Sequence, residues 1–260
     1  MSARRLALSL LAGAAVALTV AAPVGAQHAA AGSSASASAP TVRAMVVGAG
    51  GVILSPARPV TAGASSVHAG RKSCAVAAGT PLAVLDALRR SGGPGYALRD
   101  YGRCGSSAIN SGQLFVYSLG GEANRGQSGW EYKVDHVSGT TGAGDPSGPR
   151  GDGRRLRSGA SVLWFWCNAS SGGCQRTLAV SPALATVARG GRLRVTVTGY
   201  DNEGRGAPTA GAIVTLGSDF ASTDSRGRAT VLAPPTPGRY LVDATRRGLV
   251  PSFPETIVVR

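Results

Sequence analysis

The chain has 260 residues, 38 of them glycine and 15 proline, with a formal net charge of +14. The glycines follow no three-residue period, which excludes a collagen-like fibre, and the length allows two modest domains with cores of their own. The basic excess is spread over both halves without a helix-turn-helix, zinc finger or base-stacking platform, so nucleic acid is not an expected partner.

Residues 1–26 read as a secretory signal peptide. Arg4 and Arg5 precede the apolar run Leu6–Val20, and Val24-Gly25-Ala26 supplies the small residues of a cleavage site. The run is shorter than the roughly 20 residues of a membrane span. The mature product is expected to be secreted, extracellular or associated with the cell envelope, and not an integral membrane protein. Residues 27–40 are small and polar and read as a disordered linker.

A strand, a glycine turn at 48–51 and a returning strand are expected over 41–54, followed by loop over 55–73 and a short strand at 74–80. The clearest helix lies within 80–93. Thr80 is its cap, Pro81 takes the first helical position, Leu82, Val84, Leu85 and Leu88 make an apolar stripe, and Gly92-Gly93 stop it. Short strands are expected within 96–102 and 112–121. The stretch "GWEYKVDH" (129–136) alternates, with Trp130, Tyr132 and Val134 on one face and Glu131, Lys133 and Asp135 on the other. The stretch "ASVLWFWCN" (160–168) is apolar on both faces and belongs in the middle of a sheet. Between them, 137–159 is rich in glycine, proline and charge and is expected to run over the surface. Several strands and one helix fit a small sheet packed on that helix.

The order "PLAVLDAL", "LFVYSLGG", "GWEYKVDH" with a following "GAG", then "LRSGASVLWFW" resembles bacterial relatives of the transcobalamin and intrinsic-factor C-terminal domain, the domain-of-unknown-function family 4430. The resemblance covers about residues 41–168 and implies a ligand-binding β-grasp fold. It also implies a corrinoid as the one candidate cofactor; the residues themselves call for none.

Residues 178–260 read as a second unit. Alternating strands at 192–204, 210–217, 221–234, 238–248 and 255–260, separated by regular turns, point to a β-sandwich. Its "AIVTLG", "TDSRGRA" and "GRYLVDA" segments resemble immunoglobulin-like and transthyretin-like accessory modules of secreted proteins. It contains neither cysteine nor lysine. The expected fold is mainly β: a small α+β β-grasp domain with one helix at 41–177, then an immunoglobulin-like β-sandwich at 178–260.

Four cysteines in an exported chain imply two disulfides. Of the three pairings, the chain order favours Cys167–Cys174, which flank a short polar loop, and hence Cys74–Cys104. His28, His68 and His136 lie at no zinc-like spacing from a cysteine, so no metal is expected. An enzyme is not expected either: "GxSxG", "HExxH" and nucleotide loops are missing, "VVGAGG" (46–51) lacks full dinucleotide spacing, Asp86 has no evident partner, and His136 reads as a turn histidine.

Two readings of function follow. In the first, a noncatalytic binding module uses Trp130, Tyr132, Trp164 and Trp166 as an aromatic surface, with Gly142 and Gly144 giving backbone access. Core packing competes for these aromatics, and recognition then moves to the glycine-rich loop and to the arginines of "RGDGRRLRSG" (150–159), notably Arg154 and Arg155. Expected partners are a cell-surface polymer, a protein or a small hydrophobic ligand, bound by a monomer. In the second reading both units are extracellular structural or adhesive spacers.

Overall fold

The structure, a computed structural model, describes residues 38–169 and 173–260. The expected signal peptide and residues 27–37 of the expected linker lie outside the described residues. The described chain is mainly β. It is a small β-grasp domain with one α-helix, followed by a β-sandwich.

Thr41–Val47 (β1) and Ile53–Thr61 (β2) form a hairpin across the glycine turn, where Gly50 and Gly51 take φ +70° and +85°. A second hairpin, Ser65–Ala69 (β3) with Lys72–Val76 (β4), leads to the helix Pro81–Arg90 (α1). Then come Tyr96–Asp100 (β5), Leu114–Leu119 (β6), Glu122–Ala123 (β7), Gly129–Val134 (β8), Val137–Ser138 (β9) and Ser161–Cys167 (β10). The main sheet has the order β2-β1-β10-β8-β9, with β1 and β10 parallel at its centre and the other pairs antiparallel. Two outer hairpin strands and a central parallel pair, with the helix lying between the two halves of the chain, are the β-grasp arrangement. Thr80 caps α1 by accepting from Ala83 N at 3.3 Å, and Gly92 leaves it at φ +83°. Arg58 of β2 closes the other end, donating to the carbonyls of Leu88 and Ser91 at 3.1 and 3.0 Å.

The loop expected over 55–73 is corrected. It holds the rest of β2 and the β3–β4 hairpin. Pro56 and Pro59 argue against a strand in sequence, but β2 is the sheet's edge, where a missing N–H costs no ladder bond.

The second half starts with Thr177–Pro182 (β11), so Thr177 already belongs to the sandwich. It continues through Thr186–Val187 (β12), Arg192–Tyr200 (β13), Gly206–Pro208 (β14), Ile213–Leu216 (β15), Asp219–Ser222 (β16), Arg228–Leu232 (β17), Gly238–Thr245 (β18), Val250–Phe253 (β19) and Glu255–Val259 (β20). One sheet runs β14-β13-β11-β19, with β17 also pairing β13; the other runs β12-β20-β18-β15-β16. Alternating residues such as Leu193, Val195, Val197, Val214, Val242 and Ile257 fill the space between them.

Three apolar clusters hold the described chain. The first lies between α1 and one face of the main sheet, the second fills the sandwich. The third joins the halves: Met45, Val47, Leu163, Phe165 and Cys167, on the sheet's other face, meet Val250 and Phe253 of β19. That contact explains why β10 is apolar on both sides.

Candidate functional site

Strands β8 and β10 pair in register, so Tyr132 lies opposite Trp164 and Trp130 opposite Trp166. Ring centroids are 5.4 and 5.8 Å apart, the second pair edge-on. The face carrying these rings is the face that carries α1. Trp130 and Tyr132 are 5% exposed and Trp164 1%. The exposed aromatic surface is therefore corrected for these three residues: they are core, because their face of the sheet is covered by α1 and they share one buried cluster with its Leu82, Leu85 and Leu88. Trp166 is half-buried: it packs on the edge of that cluster against Trp130 and also lines a pocket with Asn168, Gln175 and Leu249.

Buried aromatic donors need acceptors. The Trp130 indole donates to the Glu122 carbonyl at 2.8 Å, and the Tyr132 hydroxyl donates to the Thr141 carbonyl at 2.9 Å. Burial pushes the Tyr132 phenol up to about 12. The Trp164 Nε1 is buried and has no acceptor among the described residues. Leaving such a donor unpaired costs roughly 1–3 kcal/mol. Trp164, Trp130, Tyr132, Leu114, Phe115 and Val116, with Glu131 and Thr141–Ala143, line an open pocket of about 200 Å³.

The glycine-rich segment is less of a surface excursion than expected. Ala143, Gly148, Pro149 and Leu156 are buried within it. Its backbone is tied down by Leu82 N donating to the Ala143 carbonyl, Thr140 N to Pro149 and Leu156 N to Gly79. Gly142 and Gly144 allow close approach. A Cβ on Gly142 would fall 1.9 Å from the Gly112 carbonyl oxygen, and one on Gly144 2.7 Å from that of Ser111. The glycines let this segment lie flat against residues 111–112.

Beyond Pro149 the same segment is exposed and basic. Arg150, Arg154, Arg155 and Arg157, with Asp135 and Asp152, line a groove of about 270 Å³. The arginines are not evenly engaged. Arg155 donates to the Pro146 carbonyl at 2.8 Å, and Arg154 lies 3.9 Å from Asp152. Among the described residues, Arg150 and Arg157 make no ion pair. Leu156, buried between them, fixes where the guanidinium groups emerge.

Lys133 escaped the sequence reading. Alternation put it on the polar face of β8, yet it is fully buried. Its ammonium donates to Thr177 Oγ1 at 3.2 Å and to the carbonyls of Tyr200 and Asp201 at 3.1 and 2.7 Å, all in the sandwich half. Desolvation pushes it down to about 8. The signal was present: Leu163 and Phe165 on neighbouring β10 needed a cover, and Lys133 shares their face. His136 is not a solvated turn histidine. It stacks on Tyr200, planes 3° apart and centroids 3.8 Å apart, and desolvation lowers its pKa. Asp86, without evident partner in sequence, is buried and accepts from Tyr96 Oη, Arg89 and Arg90. It holds helix to sheet. Disulfides join Cys74 to Cys104 and Cys167 to Cys174. Among the described residues no three His, Cys, Asp or Glu side chains gather as a metal site, and no helix is long and apolar enough to cross a membrane.

No known family matches the sequence, and no curated protein is significantly similar to it. Among solved structures, the D00–D0 domain of intimin is similar at a TM-score of 0.26 and 16% identity, over 57% of this chain and 90% of that one. The D0–D1 domain of intimin is similar at a TM-score of 0.24 and 13% identity, over 83% and 96%. At these TM-scores the likeness assigns neither fold nor function.

Proposed function

We propose that this chain is an exported, noncatalytic binding protein that holds anionic polymer in the groove between Arg150 and Arg157. The observation that carries the reading is the groove itself: four exposed arginines on a segment whose backbone is fixed by the buried Leu156 and Pro149. Arginine suits phosphate and carboxylate groups because its planar fork can bind them in pairs. An open groove with several cations favours a repeating anion over a single small one. Two disulfides support an oxidising compartment, as the signal-like N-terminus does. The β-grasp strand order supports kinship with the transcobalamin-like group. The corrinoid implied by that resemblance is left out, since the cavity at the aromatic strands is about 200 Å³, below the ~300–1,000 Å³ of sites for drug-sized ligands. A pure spacer role draws support from the buried junction through Lys133.

Binding of long-chain polyphosphate, with neutral dextran as control, separates these readings. R154A/R155A should weaken polyphosphate binding at least tenfold and flatten its salt dependence. R246A/R247A, which removes the same charge from an exposed turn of the sandwich, should leave binding unchanged. Equal losses in both variants would reduce the effect to net charge. No saturable binding at low salt would leave the spacer role.

A further inference from the structure

One end of the main sheet meets the sandwich at an open cleft of about 330 Å³. Trp166 and Asn168, at the end of β10, line it together with Gly50 of the turn between β1 and β2. Gln175, just before β11, and Gly248 and Leu249, between β18 and β19, complete it from the other half of the chain. Crevices where two halves of a chain meet are favoured places for small-molecule sites.

The walls of the cleft are tied down by the protein itself. Gly48 N–H donates to the Val52 carbonyl at 2.7 Å, which closes one rim, and Leu249 N–H donates to the Arg246 carbonyl at 3.1 Å, which closes the other. Gln175 accepts from the Asn168 N–H at 2.8 Å and donates to the Trp166 carbonyl at 2.6 Å. These two bonds fix its amide and leave it one N–H to give. Asn168 is exposed; its Oδ1 lies 3.5 Å from Ser128 Oγ, and its Nδ2 makes no hydrogen bond among the described residues. A Cβ on Gly50 or Gly248 would meet nothing within 4 Å, so a ligand can come up to the backbone at both rims. Among the described residues no charged side chain lines the cleft, in a chain of net charge +14. Arg246 and Arg247 precede Gly248 without lining it.

We propose that this cleft binds a neutral pyranose sugar, packed along Trp166, with hydroxyls bonded to the side-chain amides of Asn168 and Gln175. A sugar ring carries an apolar C–H face and a rim of hydroxyls that both donate and accept. A half-buried indole supplies the apolar wall, and side-chain amides donate and accept in turn. The lack of charge selects against an ionic ligand, which gains nothing here to offset its desolvation. The volume of about 330 Å³ lies at the lower end of the roughly 300–1,000 Å³ of small-molecule sites, which suits one or two rings. The cleft shares no lining residue with the arginine groove, so the two sites stand or fall separately.

The test uses ¹⁵N-labelled protein, whose three tryptophans give three indole N–H signals. The signal lost in W166A identifies Trp166. Cellobiose, chitobiose and maltose are titrated as neutral pyranose probes, with sorbitol as a polyol that has no ring. At least one disaccharide should shift the Trp166 indole and the Gln175 backbone amide in a saturable way at millimolar concentration, and sorbitol should shift neither. W166A should weaken that binding at least tenfold, read from the Gln175 amide. N168F, which places a bulky side chain from an exposed position into the cleft and keeps the indole, should abolish it. R154A/R155A and R246A/R247A should leave it unchanged. N168F keeps the test decisive if W166A does not fold, as judged by its amide spectrum. No saturable shift with any of the three disaccharides, an equal response to sorbitol, or an undiminished response in N168F would each overturn the proposal.

Discussion

Lys133 Nζ lies 2.7 Å from the backbone carbonyl oxygen of Asp201, 68 residues further along the chain. Together with the Ser138 N–H donating to the Asn202 carbonyl at 2.9 Å, it ties the end of the β-grasp sheet to the turn after β13. A buried ammonium with three acceptors is costly to desolvate and costlier to strip of one side of its bonds. K133A leaves Thr177 Oγ1 and the Asp201 carbonyl without this donor and opens a cavity. It should lower stability by about 2–5 kcal/mol in denaturant titration.

Lys133 also sets a pH dependence. Its folded pKa of about 8 lies below the ordinary 10.5, so between these values the unfolded chain holds the extra proton. Stability from this group therefore rises as pH climbs from about 8 toward 10.5. K133M has no such group. Thermal melts at pH 7.5 and pH 9.5 should show the wild type gaining a few °C on K133M; a constant difference between the two proteins would contradict the linkage.

Trp130 is in the core, with its indole bonded to Glu122 and its ring edge-on to Trp166. W130A should destabilise by roughly 3–5 kcal/mol. R154A/R155A, both exposed, should stay within about 0.5 kcal/mol of wild type. An unchanged melt for W130A would return the aromatic strand to the list of exposed surfaces.

Gly142 and Gly153 differ in why they are glycine. A Cβ on Gly142 collides with the Gly112 carbonyl oxygen at 1.9 Å, whereas Gly153 has open space but φ +80°. G142A should cost about 1–3 kcal/mol, as overpacking does. G153A should cost nearer 1 kcal/mol, from the left-handed backbone alone. Chemical denaturation of the two variants side by side measures the difference.

Cys74–Cys104 links positions 30 apart and encloses α1, whereas Cys167–Cys174 links positions 7 apart. On the chain-entropy account, the paired variant C74A/C104A should lose roughly 3 kcal/mol and C167A/C174A clearly less. Equal losses would point to a structural role for the short loop at the end of β10.

Local patterns in the sequence determined much of the architecture. Thr80-Pro81 and Gly92-Gly93 bracket α1 because capping and chain reversal are decided within a few residues. Strict alternation in "GWEYKVDH" set which side chains of β8 share a face, and the two-sided apolarity of "SVLWFWC" put β10 inside a sheet. Four cysteines at these spacings indicated the pairing through chain order alone. What the local pattern could not decide was which face meets which layer. The prolines of β2 hid a strand that only its edge position permits. Gly142 and Gly144 looked like ligand-facing loop residues, and only the approach of residues 111–112, remote in sequence, shows that they are there for packing. Lys133 looked solvated because burial depends on what covers a face, and that cover comes from β11, β13 and β19, more than 40 residues away. Periodicity is a property of one strand; burial, cavities and unpaired donors such as Trp164 Nε1 arise where several strands meet.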